Sequence, residues 1–110
     1  MSNSSYMNPE DALKRVGGNN GLYIKLLGRF AEDNQFEEIT GLLQSGDIEE
    51  AARKIHALKG VAANLSLEKL HEDTIALEKA IKSDEECKPL LEALRQTYAI
   101  TLEAIVEYTK

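Results

Sequence analysis

Apolar residues recur along most of the chain at the roughly 3.6-residue period of a helix, and no segment shows strand-like alternation. Asn8-Pro9-Glu10-Asp11 reads as a helix start, with Asn as N-cap, Pro at the first helical position and acids in the first turn. This short helix should run to about Val16 and stop at Gly17-Gly18. From about Asn20, Leu22, Leu26, Leu27 and Phe30 follow helical spacing, continued by Ile39, Leu42 and Leu43. The pattern fits one helix or two joined near Asp33-Asn34. Gly46 ends it and Asp47 caps a third helix to Asn64, with Ile48, Ala51, Ile55, Leu58, Ala62 and Leu65 on one buried face. A fourth helix follows Leu65-Ser66, with Ser66 as N-cap and Leu67, Leu70, Thr74, Leu77 and Ile81 inward. Ser83 to Glu86 break the pattern. Pro89 belongs in the first turn of the last helix, because deeper inside it would clash with the preceding turn. Leu91, Leu94, Tyr98, Leu102 and Ile105 carry that helix to the end. Short connections between amphipathic helices predict an all-α, antiparallel up-and-down four-helix bundle with a short additional N-terminal helix. Residues 1–8 are expected to be a flexible tail and 9–110 the bundle.

Composition narrows the chemistry. A chain of 110 residues makes one domain, and 19 acidic against 13 basic residues give a net charge of −6. That balance argues against nucleic acid as the main ligand, since phosphate backbones are bound through basic surfaces. No run approaches the ~18 apolar residues of a membrane span. Met1–Met7 lacks the basic-then-apolar plan of a signal peptide. The single cysteine, Cys87, can form neither an intramolecular disulfide nor a multi-cysteine zinc site. A cytoplasmic monomer is the expectation. No GxxxxGK[ST] sequence is present, and the glycine-rich stretch Gly17 to Gly21 lacks the lysine and preceding strand of a phosphate loop.

The informative segment is His56-Ala57-Leu58-Lys59-Gly60. His56 falls about 100° round the helix from buried Ile55, at the edge of the core. Ala52, Lys59, Gly60 and Ala63 share its side, and with two alanines and a glycine flanking the ring a partner could reach the imidazole without colliding with a large side chain. Gly60 sits mid-helix, where glycine costs ~1 kcal/mol relative to alanine. Either an open approach to His56 or close helix–helix packing accounts for it. Lys59 and Arg53, one turn to either side, favour an anion on the imidazole; Lys59 is expected to be an exposed charge that adds little to folding. Glu78, near the apolar edge of the fourth helix, needs a partner that Lys59 or the His56 ring could provide.

In this frame the chain resembles the histidine-containing phosphotransfer (HPt) domain, whose signature is H-x-L-K-G on the second long helix of the bundle. The resemblance covers roughly residues 10 to 107. It rests on Leu22, Tyr23, Leu26, Leu27 and Phe30, on the Gly46-Asp47 turn, on the His56–Gly60 pentapeptide, on Asn64-Leu65 through Leu70, and on Leu77-Glu78. Ser66 departs from it, since the family usually has glycine after the His helix; as an N-cap the serine would be benign. Ala63 stands where many members have glycine, and is still small.

The resemblance implies a phosphorelay intermediate of two-component signalling. His56 would accept a phosphoryl group from the aspartyl phosphate of a response-regulator receiver domain and pass it to another receiver aspartate. One ring nitrogen would attack while the other is held, with Glu78 the candidate holder and Lys59 supplying charge. Ala52, Arg53, Ala57, Gly60 and Ala63 would form the docking surface. Receiver domains and a sensor or hybrid histidine kinase would be the partners. The chain itself would bind no cofactor and have no autokinase activity, with Mg²⁺ held by the receiver's acidic pocket. His71 fits a rim position better: its His71-Glu72 start of a sensor-kinase phosphorylation box lacks the following proline, and its separation from His56 is no same-helix ligand spacing. The competing reading is a non-phosphorylated helical adaptor that docks receiver or kinase domains, expected if the histidine or lysine were missing. Both are present.

Overall fold

The computed structural model describes residues 6–33 and 35–110, which form six helices. They are α1 (Pro9–Arg15), α2 (Asn20–Glu32), α3 (Gln35–Gln44), α4 (Ile48–Asn64), α5 (Glu68–Lys82) and α6 (Lys88–Thr109). The long apolar pattern after Asn20 is therefore two helices, with Asp33 in extended conformation ending α2. The broken α2–α3 arm, α4, α5 and α6 make the antiparallel four-helix bundle, and α1 packs against α2. Residues 1–5 of the expected tail lie outside the described residues. Met7 packs against the core, and the Asn8 amide donates to the Ser66 carbonyl, so these two belong to the bundle.

Local signals set most boundaries. Asn8, Asn19 and Asp47 each accept a backbone N–H of the first turn of α1, α2 and α4, as N-caps do. Pro89 lies in the first turn of α6. The C-termini of α3, α4 and α5 share one device, a left-handed residue whose N–H and whose successor's N–H both turn back onto the last turn. Gly46 plays this part for α3, with φ +84°, at no steric cost.

Ser66 plays it for α4, and here the sequence reading needs correcting. Ser66 is not an N-cap: its φ is +56°, and the residue preceding α5 is Leu67, which makes no side-chain cap. A left-handed serine carries a penalty of ~1–2 kcal/mol that glycine avoids. Its hydroxyl offsets this, donating to Asp11 Oδ2 at 2.7 Å and accepting from Arg15 Nη1 at 2.6 Å. These bonds, with Arg15–Asp11 at 2.8 Å, clasp α1 to the α4–α5 turn. The Ser66 hydrogen bond first, then that of Arg15 and the Arg15 charge, hold the Asp11 carboxyl below the ordinary carboxylate range, with burial opposing them.

The core gathers Tyr23, Leu27, Ile39, Ile55, Leu58, Leu67, Leu70, Leu77, Leu94 and Ile105, all essentially without solvent contact. Two positions assigned to buried faces are open: Leu22 is 40% exposed and Ile48 47%. On α2 the inward stripe is Tyr23, Leu27 and Phe30, which leaves Leu22 on the outer edge. Tyr23 can take the central place because its hydroxyl donates to the Leu65 carbonyl at 3.0 Å. Ile48 is the first helical residue of α4, beyond the reach of the neighbouring helices.

The clasp makes a distinctive stability prediction for Ser66. Removing the hydroxyl while keeping the left-handed strain should make Ser66→Ala the least stable form. Ser66→Gly should recover about 1 kcal/mol of that loss yet remain below wild type. Urea unfolding of the three proteins checks the order, and an alanine variant as stable as wild type would show that the clasp contributes nothing.

Candidate functional site

α4 turns its apolar stripe, Ala51, Ile55, Leu58 and Ala62, into the bundle. His56 follows Ile55 and so emerges at the boundary with α5, its side chain 69% exposed. α5 packs alongside and brings Glu78 to the same seam, with its side chain only 11% exposed. Glu78 Oε2 lies 2.9 Å from His56 Nδ1, and Oε1 lies 2.7 Å from Lys59 Nζ. One carboxylate thus holds two residues that stand three apart on the facing helix. The Lys59 hydrogen bond is the main reason the Glu78 carboxyl sits below the usual carboxylate range; burial opposes it, and the His56 bond and the Lys59 and Lys82 charges support it.

The protonation pattern follows from donor counting. An ionised carboxylate has only acceptors, so the proton in the His56–Glu78 bond belongs to Nδ1. In the neutral ring Nε2 then carries the lone pair, on the solvent side. The arrangement fixes both the orientation and the tautomer of an exposed imidazole.

Lys59 departs from expectation. It is not a free surface charge: its side chain is 27% exposed and its ammonium is paired with the buried carboxylate. Arg53 is exposed and bonds Glu50 at 3.1 Å on its own helix. Ala57 and Gly60 are exposed and Ala52 and Ala63 half-buried, all on the His56 side of α4. A Cβ built on Gly60 meets no atom within 4 Å, which removes helix–helix packing as the reason for this glycine. His71 is half-buried two turns of α5 before Glu78 and takes no part in the His56–Lys59–Glu78 cluster.

Sequence reasoning missed the ground beside Ala57. Ala57 and Val61 line a groove of about 370 Å³ with Asp33, Gln35, Glu38 and Lys54, where Lys54 pairs with Glu38 across α3 and α4. Next to it Leu26, Arg29, Phe30 and Asn64 border a second hollow of about 260 Å³. Both open at the α2–α3 joint, whose position the apolar pattern left undecided. Among the described residues no group of three or more His, Cys, Asp and Glu is placed to hold a metal ion. No helix among them is long and apolar enough to cross a membrane.

The fold and site define an all-helical bundle that presents one held, exposed histidine beside a paired lysine. The family model for the Hpt domain matches residues 26–107, and the chain belongs to that family. The match begins inside α2, so it does not include α1 or the Tyr23 anchor. Comparison with curated proteins and with solved structures returned no match. Hpt domains are phosphocarriers of two-component phosphorelays, meeting receiver domains and histidine kinases.

The open surroundings of Gly60 generate a prediction. Gly60→Ala meets no steric obstacle and should stabilise the bundle by up to about 1 kcal/mol through helix propensity. Thermal unfolding measures this, and a lowered melting temperature would contradict the open geometry.

Proposed function

We propose that His56 is the phosphorylated residue, taking a phosphoryl group from a receiver aspartyl phosphate and delivering it to the aspartate of another receiver. The observation that carries this reading is the Nδ1–Glu78 bond, which leaves Nε2 outward with its lone pair. Nε2 attacks phosphorus in line with the departing aspartate oxygen; the P–N bond forms as the P–O bond breaks, and the carboxylate stays on the receiver. An acyl phosphate is already activated, so positioning and charge stabilisation do most of what is needed. Lys59 supplies positive charge one turn from the ring. Ala52, Ala57, Gly60 and Ala63 leave room for the receiver's acidic pocket to come close, with Arg53 at its rim and Mg²⁺ kept on the receiver.

The test is incubation with a phosphorylated receiver domain, following label transfer and its acid lability. His56→Gln should accept none while remaining folded, because the ring is mostly exposed and Gln can still donate to Glu78. Label still arriving on that variant would overturn the assignment. Lys59→Ala should slow acceptance at least roughly tenfold, since a hydrogen bond to a charged group is worth ~1.5–3 kcal/mol. The same variant should lose stability on the order of 1 kcal/mol, because Glu78 is left with a single partner; urea unfolding reads that effect separately.

Gly60→Gln addresses docking alone. It should fold like wild type and still slow transfer from a receiver, by blocking approach to His56. Transfer at the wild-type rate would show that the receiver does not pass over this part of α4.

A further inference from the structure

Glu78 does more at this site than orienting a ring requires. A neutral amide at position 78 would offer one accepting oxygen where Nδ1 and Lys59 now each have their own, and it would do nothing to hold a proton on a positively charged ring. The structure instead places a charged carboxylate there, almost withdrawn from water, 2.9 Å from Nδ1. We infer that Glu78 keeps the Nδ1 proton on His56 after phosphorylation and so governs how readily the phosphoryl group is passed on. This rests on the proposed phosphorylation of His56.

The chemistry turns on the leaving group. In the accepting step the Nε2 lone pair forms the P–N bond, and the ring, still carrying Nδ1–H, becomes a cation. In the onward step the P–N bond breaks and its electron pair returns to Nε2, while a P–O bond forms to the acceptor aspartate. With Nδ1–H in place the ring departs as neutral imidazole. Without it the ring must depart as an imidazolate anion, a far poorer leaving group. A carboxylate against Nδ1 stabilises the cationic ring, so neither step moves a proton.

Surrounding charges keep that proton on the ring. From α4, Glu78 faces Lys59 at 2.7 Å as well as His56, and from its own helix Lys82 adds positive charge. These hold Glu78 ionised, so it does not take the proton itself. Arg53 is engaged with Glu50, and the Lys54–Glu38 pair lies on the α3 side of α4. Lys59 therefore acts partly through Glu78.

Glu78→Gln removes the charge at nearly constant size, leaving one accepting oxygen for Lys59 and Nδ1 together. Phosphorylated wild type and variant are compared in onward transfer to the same receiver between about pH 6 and 9, so any titration of the receiver cancels. The variant's rate should begin to fall at a pH lower by about one unit or more, the usual reach of an adjacent opposite charge. In the wild type, ¹⁵N NMR of phospho-His56 should show Nδ1 still protonated at a pH where a small N-phosphorylimidazole has lost its ring proton. That measurement holds even if the variant folds poorly. Phospho-His56 that loses its proton with the small compound, or rate profiles that coincide, overturns the inference alone. No phosphoryl group on His56 in the wild type overturns the underlying reading and this inference with it.

Discussion

A carboxylate nearly out of water, on the seam between two packed helices, is the constraint from which the site follows. An unpaired buried charge is far too costly to keep, so Glu78 needs donors at close range for both of its oxygens. α4 meets that demand from positions 56 and 59, which lie on one edge of a helix because three residues make nearly a full turn. The demand is mutual. Without Glu78 the His56 ring would be an exposed side chain free to rotate, and Lys59 a solvated ammonium.

That seam depends on the turn joining α4 to α5. Ser66 in the left-handed region lets the chain reverse within three residues, with Leu67 buried immediately after it. The hydroxyl that compensates the strain also reaches Asp11 and Arg15, so α1 is fastened to the hairpin that carries His56, Lys59 and Glu78. Tyr23 fastens α2 to the same turn through the Leu65 carbonyl, and its ring stacks edge-on against Tyr108 of α6. Two elements outside the hairpin, α1 and α2, thus converge on the turn, and α6 backs the second of them through Tyr108.

Much of this was legible before any coordinates. Caps at Asn8 and Asp47, the stop at Gly46 and the placement of Pro89 are local physics, and local residues carry them. The pairing of Glu78 with His56 and Lys59 was also foreseeable as a need, since a carboxylate at an apolar edge must find donors. What escaped was decided by contacts between segments distant in sequence. Ser66 looks like an N-cap until Asp11 and Arg15, some fifty residues away, are seen to claim its hydroxyl. Leu22 and Ile48 satisfy the helical period, yet they fall where no neighbouring helix arrives. Lys59 reads as a surface charge from its own helix, and only the approach of α5 makes it the half-buried partner of a buried carboxylate.

If His56 acts as proposed, the geometry also reconciles two requirements that usually conflict. A nucleophile that must meet another protein has to be exposed, while one that must react in line has to be held still. Enclosure in a pocket would satisfy the second at the expense of the first. Here the fixing contact comes from beneath: Glu78 grips Nδ1 from the buried side of the seam, and Ala52, Ala57, Gly60 and Ala63 keep the helix surface beside the ring low. Gly60 accepts a helix penalty at a position where an alanine Cβ would meet no other atom, so packing within the chain does not require it; on the proposed function, the open space above α4 is what a receiver would use.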